Sequence, residues 1–461
     1  MTTYDLAATR PRATALSLTS SAWAWALGFL VLVIWLIPIK SYRLPVALPF
    51  NLELYRLVII VFLFAWMLMA VQGRTQLLAG GLGVPLLLFG AGATLSLLVN
   101  HKAISRAGLE TQSVKSLSYL LSFLIAFVLV YSTLQSLSDV ELVLRAVVLG
   151  GVLVAIAGLI EERTRYNVFN HLHPFLPFLQ QVHETGQKTR FGRLRVTASA
   201  QHPIALGAAL VMTVPLSFYV ARSAVGRNAR LFWIGASLVL CGAALATESR
   251  TVLSMIVVMA IVGLYVRRKA VLHFWPVVPV LLVLVHFAAP RTLSGLYHAL
   301  SPRGGIVAQQ QLRAGNVGSG RLADIGPGLR MWEATPVFGQ GPGTSPVRGA
   351  VVAQAAQGGQ IIFDDQYLRE LVEGGLIGFI ALAWIVWGTV AKTARASRHV
   401  AGRTGDLLAA VAVACGGYAI GILTFDALSF VQVTLLFFVV AALGLRAAAL
   451  AREGEPLEAV A

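Results

Sequence analysis

The stretch Asp364-Asp365-Gln366-Tyr367-Leu368-Arg369-Glu370-Leu371-Val372-Glu373-Gly374-Gly375-Leu376-Ile377-Gly378 passes without a break from acidic to apolar sequence. The paired acids at its head suit a helix start, where a carboxylate accepts otherwise orphaned N–H bonds and complements the helix dipole. One acid suffices for that, which leaves the other for chemistry. The apolar run that follows, 367–389, is long enough to cross a bilayer. The longest polar segment of the chain begins at the turn Gly318-Ser319-Gly320-Arg321 and closes with this stretch, at Gly378.

Further apolar runs lie at 22–39, 55–71, 77–98, 117–134, 143–160, 203–221, 231–247, 251–266, 271–288, 407–424 and 428–449. With 367–389 they predict an all-α, polytopic membrane protein of about 12 transmembrane helices, because the runs are continuous rather than alternating. The composition agrees: 57% of the 461 residues are hydrophobic and 12% charged, against about 25% charged in soluble domains. The expected organisation is a bundle of about nine spans over 1–288, with an external basic loop at 161–202. A large external loop follows at 289–366, then a three-helix membrane segment at 367–461.

Arg10, Arg12, Arg74, Arg222, Arg227, Arg230, Arg267-Arg268-Lys269, Lys392, Arg395, Arg398 and Arg403 all fall on one side of these spans. Short basic loops belong in the cytoplasm, so both termini are expected there. The first span has no small-residue cleavage site after it and reads as a retained anchor. Loops 161–202 and 289–366 then face outside, and each holds six Lys or Arg residues. That excess suits an anionic partner or lipid headgroups. Although the formal charge is +16, the basic residues are scattered among membrane-flanking loops, which excludes a nucleic-acid partner. Cys241 and Cys415 sit within spans, so loop disulfides and thiolate metal sites are excluded.

Several loop residues carry possible chemistry. Arg193-Leu194-Arg195 precedes His202-Pro203, where the proline suits a first helical turn and His202 a helix start. Glu248-Ser249-Arg250 forms a very short hairpin, in which Arg250 pairs with Glu248, snorkels or faces a ligand. Residues 322–334 have helical spacing interrupted by Gly326-Pro327-Gly328, and Trp332 reads as an interfacial anchor. Phe338-Gly339-Gln340-Gly341-Pro342-Gly343 is a glycine turn able to offer N–H groups to phosphate. Segments 301–320 and 344–362, rich in Gly, Ala and Gln, read as mobile loops. His171 and His173 lack acidic or cysteine partners and read as loop histidines. The first outer loop has a single acid, Glu53, which leans away from a carboxylate-held metal.

Taken together, these residues resemble the O-antigen ligase and surface-polysaccharide polymerase family of bacterial enzymes. The resemblance rests on Thr247-Glu248-Ser249-Arg250, on Arg321 followed by Trp332, Pro336 and Phe338–Gly343, on Asp364–Leu368 with Glu373–Gly378, and on Arg195–Pro203. It implies a GT-C-like membrane glycosyltransferase, metal-independent and without cofactor. Such an enzyme transfers a glycan from a polyprenyl diphosphate carrier to an acceptor hydroxyl on a glycan or glycolipid, at the outer face of the cytoplasmic membrane. Arg250 and Arg321 are expected to hold the diphosphate, with Arg195, Arg330, His202 and Tyr367 as further substrate contacts. Asp364 stands where the family's ligases carry a histidine, and it is the expected base. This departure leaves ligation and polymerisation both open. The competing class is a transporter or flippase of lipid-linked glycans, which usually carries ionisable residues at mid-membrane. Here such residues cluster near span ends.

Overall fold

The computed structural model describes residues 13–46, 52–184, 188–190, 193–273, 279, 283, 321–345 and 363–454. Its helices are α1 (Ala13–Leu36), α2 (Leu54–Val71), α3 (Gly83–Val99), α4 (His101–Arg106), α5 (Glu110–Thr133), α6 (Leu137–Thr164) and α7 (Pro203–Ser223). They continue with α8 (Arg227–Ala246), α9 (Arg250–His273), α10 (Arg321–Glu333), α11 (Gln366–His399), α12 (Gly402–Gly421) and α13 (Val431–Glu453). Among the described residues, 9 helices are long and apolar enough to cross a membrane, and Ala22–Leu36 and α3 are shorter apolar helices. Each expected span has its helix except 271–288, most of which lies outside the described residues. The protein is an all-α polytopic membrane protein. Strand structure among the described residues is confined to two antiparallel pairs, Tyr42–Arg43 with Gln180–Gln181 and Lys188–Arg190 with Arg193–Arg195.

α13 is the axis of the bundle. It packs against α5, α6, α7, α11 and α12 and is buried along almost its whole length. A helix surrounded by other helices is apolar on every face, and this one is. Its buried polar side chains reach main-chain carbonyls, because no water is there to satisfy them. Gln432 Nε2 donates to Ile34 O at 2.9 Å and Arg446 Nε to Leu134 O at 2.7 Å. Lipid tails offer no hydrophobic drive between spans, so close contact must hold the helices together. Gly150 of α6 illustrates this: a Cβ there would collide with the Trp35 ring of α1. Trp25, Phe64, Leu87 and Val257 point outward from the bundle.

The loops gather at two ends. One end collects 37–46, 52–53, 100–109, 165–184, 188–190, 193–202, 247–249 and 422–430, together with α10. The other collects the short connections 72–82, 134–136, 224–226 and 400–401. At this second end Lys392 Nζ donates to Gly81 O at 2.7 Å, and Arg222 pairs with Asp406 at 3.0 Å.

Candidate active site at one end of the bundle

Asp365 caps α11: its Oδ1 accepts from Tyr367 N at 2.9 Å and Leu368 N at 3.4 Å. Past its second turn the helix breaks at Gly375 (φ 64, ψ −161), a conformation that glycine alone adopts without strain. Such a break releases main-chain groups, and the glycine turn before it takes them up. Gln340 N donates to Val372 O at 2.9 Å, Gly341 N to Glu373 O at 3.0 Å, and Leu376 N to Pro336 O at 2.9 Å. Gly339 sits so close that a Cβ would collide with the Glu373 carbonyl. The Glu373 carboxylate accepts from Gly343 N at 2.7 Å, from Ser345 Oγ and from Arg369 Nε at 2.9 Å.

This corrects the expectation that the glycine turn offers N–H groups to phosphate. The chain's own carbonyls and the Glu373 carboxylate already occupy them. It also corrects the reading of residues 344 and 345 as part of a mobile loop, since Thr344 and Ser345 are fully buried; residues 346–362 lie outside the described residues. α10 runs unbroken through Gly326-Pro327-Gly328 and lies on α11, where Met331 packs with Phe363, Leu368 and Val372.

Beside this junction is a cavity of about 520 Å³, lined by Lys40, Gln112, Lys115, Ser116, Tyr119, Arg369, Glu370, Asp426 and Ser429 among others. Arg369 is held between Glu373 and Asp426, and its Nη1 also reaches Ser429 Oγ at 3.0 Å. Lys40 adopts φ 70 and donates Nζ to Ser429 O at 2.8 Å. Burial, then the neighbouring charge of Lys115, lowers its ammonium pKa to about 8, with Arg369 and Arg56 acting the same way and Glu53 opposing. Glu53 is itself buried, pairs with Arg56 at 3.0 Å and accepts from Tyr119 Oη at 3.3 Å. Burial raises its pKa, against the pull of Arg56. Among the described residues, the Lys115 ammonium has no hydrogen-bond or ion-pair partner.

Of the site residues expected from sequence, none is among the residues that line this cavity. Arg195 is buried and donates Nε to Thr247 O at 3.0 Å, which ties it to the hairpin carrying Arg250. Arg250 starts α9, partly exposed, and among the described residues its guanidinium has no hydrogen-bond or ion-pair partner. His202 caps α7, accepting from Ile204 N through Nδ1 at 3.2 Å, and its ring stacks 5.6 Å from Phe430. Tyr367 is buried with Oη donating to Ala419 O at 3.1 Å, so its hydroxyl positions α11 against α12. Asp364 is exposed beside the cap residue, and Arg330 is exposed on α10. The Arg321 side chain lies outside the described residues.

The loop 422–430 joins these pieces. Gln366 N donates to Ile422 O at 2.9 Å, Leu428 N to Gln366 Oε1 at 3.0 Å, and the Thr251 and Thr424 hydroxyls meet at 2.7 Å. Asp426, Leu428 and Ser429 of the same loop line the cavity. Sequence reasoning missed this hub, along with Lys40, Lys115 and Asp426. Asp426 carried a legible signal, being the one acid between Leu407 and Arg452. Lys115 was hidden because α5 starts seven residues before the apolar run that marks it.

The architecture is that of a polytopic membrane protein with a polar, mixed-charge site at one end of its helix bundle. Residues 234–383 match the family model described as O-antigen ligase, a stretch that includes the 247–250 hairpin, α10 and the first half of α11. The match supports membership of the O-antigen ligase family and, in general terms, O-antigen ligase-type enzyme activity. No curated protein matches the chain.

Proposed function

We propose that the protein transfers a glycan from a polyprenyl diphosphate to an acceptor hydroxyl, at the outer face of the cytoplasmic membrane. One observation carries this reading. The 422–430 loop touches the 247–251 hairpin, His202 and the start of α11, and it also walls the polar cavity. A guanidinium with no partner among the described residues, an exposed carboxylate and a glycan-sized polar space therefore share one end of the bundle. The positive-inside rule sets that end outward.

In the proposed reaction the acceptor oxygen attacks the anomeric carbon and the bond from that carbon to the diphosphate oxygen breaks. Asp364 takes the hydroxyl proton. The departing diphosphate carries its negative charge to Arg250 and Arg321, whose planar forks bind phosphate oxygens bidentately and stay charged. Arg330 and Arg195 are supporting donor contacts, Arg195 by positioning the hairpin. Cavity side chains such as Gln112, Ser116 and Ser429, with the cations Lys40 and Lys115, suit hydroxyl-rich and anionic groups of a glycan. This proposal requires no metal or cofactor.

Reconstitution of the chain with a lipid-linked oligosaccharide and a glycan acceptor tests the reading. Glycan joined to acceptor, with polyprenyl diphosphate released, is the expected result. Movement of intact lipid-linked glycan across the bilayer without transfer would show a flippase instead. The intermediate that accumulates in cells lacking the protein separates the two transferase roles. Single repeat units indicate polymerisation, and long unattached chains indicate ligation.

A further inference from the structure

The end of the bundle away from the candidate active site holds a second built feature. Arg222 at the close of α7 and Arg267 near the close of α9 share the Asp406 carboxylate of α12, at 3.0 and 3.4 Å. Arg267 leaves helical geometry (φ −143, ψ 62), and its Nη2 donates to Val400 O at 3.1 Å. The two guanidiniums are thus fixed from three helices rather than trailing from one. With Arg268 and Lys269 they line an open cavity of about 700 Å³, four cations against one carboxylate.

Directly beneath is an apolar groove of about 240 Å³ between α7, α9 and α12, lined by Pro215, Phe218, Tyr219, Met259, Val266 and Val413. Arg222, Arg267 and Asp406 border both spaces, so polar and apolar parts are continuous. Ordinary membrane-flanking arginines are solvated singly at helix ends. Here a preorganised cationic cavity opens onto an apolar slot of acyl-chain width, the arrangement that basic pockets between spans use for anionic lipid headgroups.

We infer that this is a binding site for one anionic phospholipid, its phosphate on Arg222 and Arg267 and an acyl chain in the groove. Charge complementarity and the adjoining slot select an anionic lipid over a zwitterionic one. The site lies at the opposite end from the proposed glycosyl-transfer chemistry and does not depend on it.

Native mass spectrometry of the full chain, released from micelles containing phosphatidylglycerol and phosphatidylcholine, tests this. One phosphatidylglycerol should be retained per chain. Its retention should fall about thirtyfold in Arg222→Gln/Arg267→Gln, the loss expected for two basic groups near an anionic headgroup. The control Arg74→Gln/Arg395→Gln removes two exposed cations of the same end outside the cavity and should retain the lipid. Should the double variant not fold, Val413→Phe fills the groove from the apolar side and should also expel it. Equal retention of phosphatidylcholine, or unchanged retention in Val413→Phe or the double variant, would overturn the site. Displacement of phosphatidylglycerol by an equimolar polyprenyl phosphate would overturn the choice of a two-chain phospholipid.

Discussion

The two ends of the bundle turn their chains differently. Away from the cavity, positive φ falls on Gly73, Gly80, Gly81, Gly226, Gly402 and Gly454. At the cavity end it falls also on Lys40, Arg165, Ala198 and Glu248, the only non-glycine residues in that region of backbone space among the described residues. Holding a side chain there costs about 1–2 kcal/mol per residue, a cost glycine avoids. Where only a turn is needed, the chain uses glycine. Where a particular side chain must face a particular place, as Lys40 faces the cavity and Glu248 leads Arg250, strain is tolerated, and such outliers cluster at functional sites. Charge is buried at both ends: Arg369, Glu370 and Glu373 at the cavity end, Asp139, Glu141 and Arg446 at the other, where Arg222 and Asp406 remain 59% and 28% exposed.

The widest separation should come from Asp364 and its neighbour. Asp364→Asn removes the proposed base and should slow transfer by roughly 100- to 10,000-fold at normal protein level. Asp365→Asn should leave turnover close to wild type, because asparagine caps a helix about as well as aspartate. Turnover on a lipid-linked donor reads both, and near-normal Asp364→Asn activity would leave the arginines as the only catalytic groups.

Next in size is the contrast between arginines of the two ends. Arg250→Ala should lose about 2–4 kcal/mol of transition-state stabilisation, and Arg250→Lys should recover little of it. Arg395→Ala, an equally charged change at the opposite end, should leave turnover unchanged. Equal losses in both would mean that overall charge, rather than a phosphate contact, drives activity.

Two glycines compare the backbones directly. Gly375→Ala meets both positive φ and a collision with Val337 O, whereas Gly226→Ala (φ 85) meets open space. The first should lower stability by more than the roughly 1–2 kcal/mol expected for the second. Denaturant or thermal unfolding in detergent measures both, and a smaller effect at Gly375 would show that the α11 break is not held by its glycine turn.

The smallest effect concerns Lys40. Its ammonium releases its proton at about pH 8 in the folded chain, against about 10.4 when unfolded. Between those values the unfolded state binds more protons, so stability should rise with pH across that window. Lys40→Gln should flatten the rise, visible in melting temperatures from pH 7 to 10.5. An unchanged pH profile in the variant would remove Lys40 as its source.

The spans were legible because hydrocarbon imposes a local rule: a lipid-crossing run must be predominantly apolar, and the run shows itself in order. The cap at Asp365 was legible in part, since paired acids before a span narrow the choice to two residues. His202 was legible as a helix start, but its ring partner and the fate of Tyr367 were not. Which atom a histidine or tyrosine uses depends on what another helix presents, here Phe430 and the Ala419 carbonyl. The glycine turn was legible as a turn and misread as a ligand site. Nothing in Phe338–Gly343 announces that α11 breaks at Gly375 and claims its N–H groups.

By itself, then, the sequence determined a helical membrane protein, its span order and a polar segment rich in chemistry. Only the tertiary structure brought Lys40, Lys115, Arg369 and Asp426 from four separate stretches around one cavity. In a linear reading each is an ordinary charge near a span end, because membrane-flanking cations and acids look alike whether they meet lipid or each other. What separates the two cases is helix packing, set by contacts such as Gly150 against Trp35 and by the 422–430 loop. Those contacts join residues far apart in the chain, 173 positions for Thr251 and Thr424, and leave no periodic trace along it.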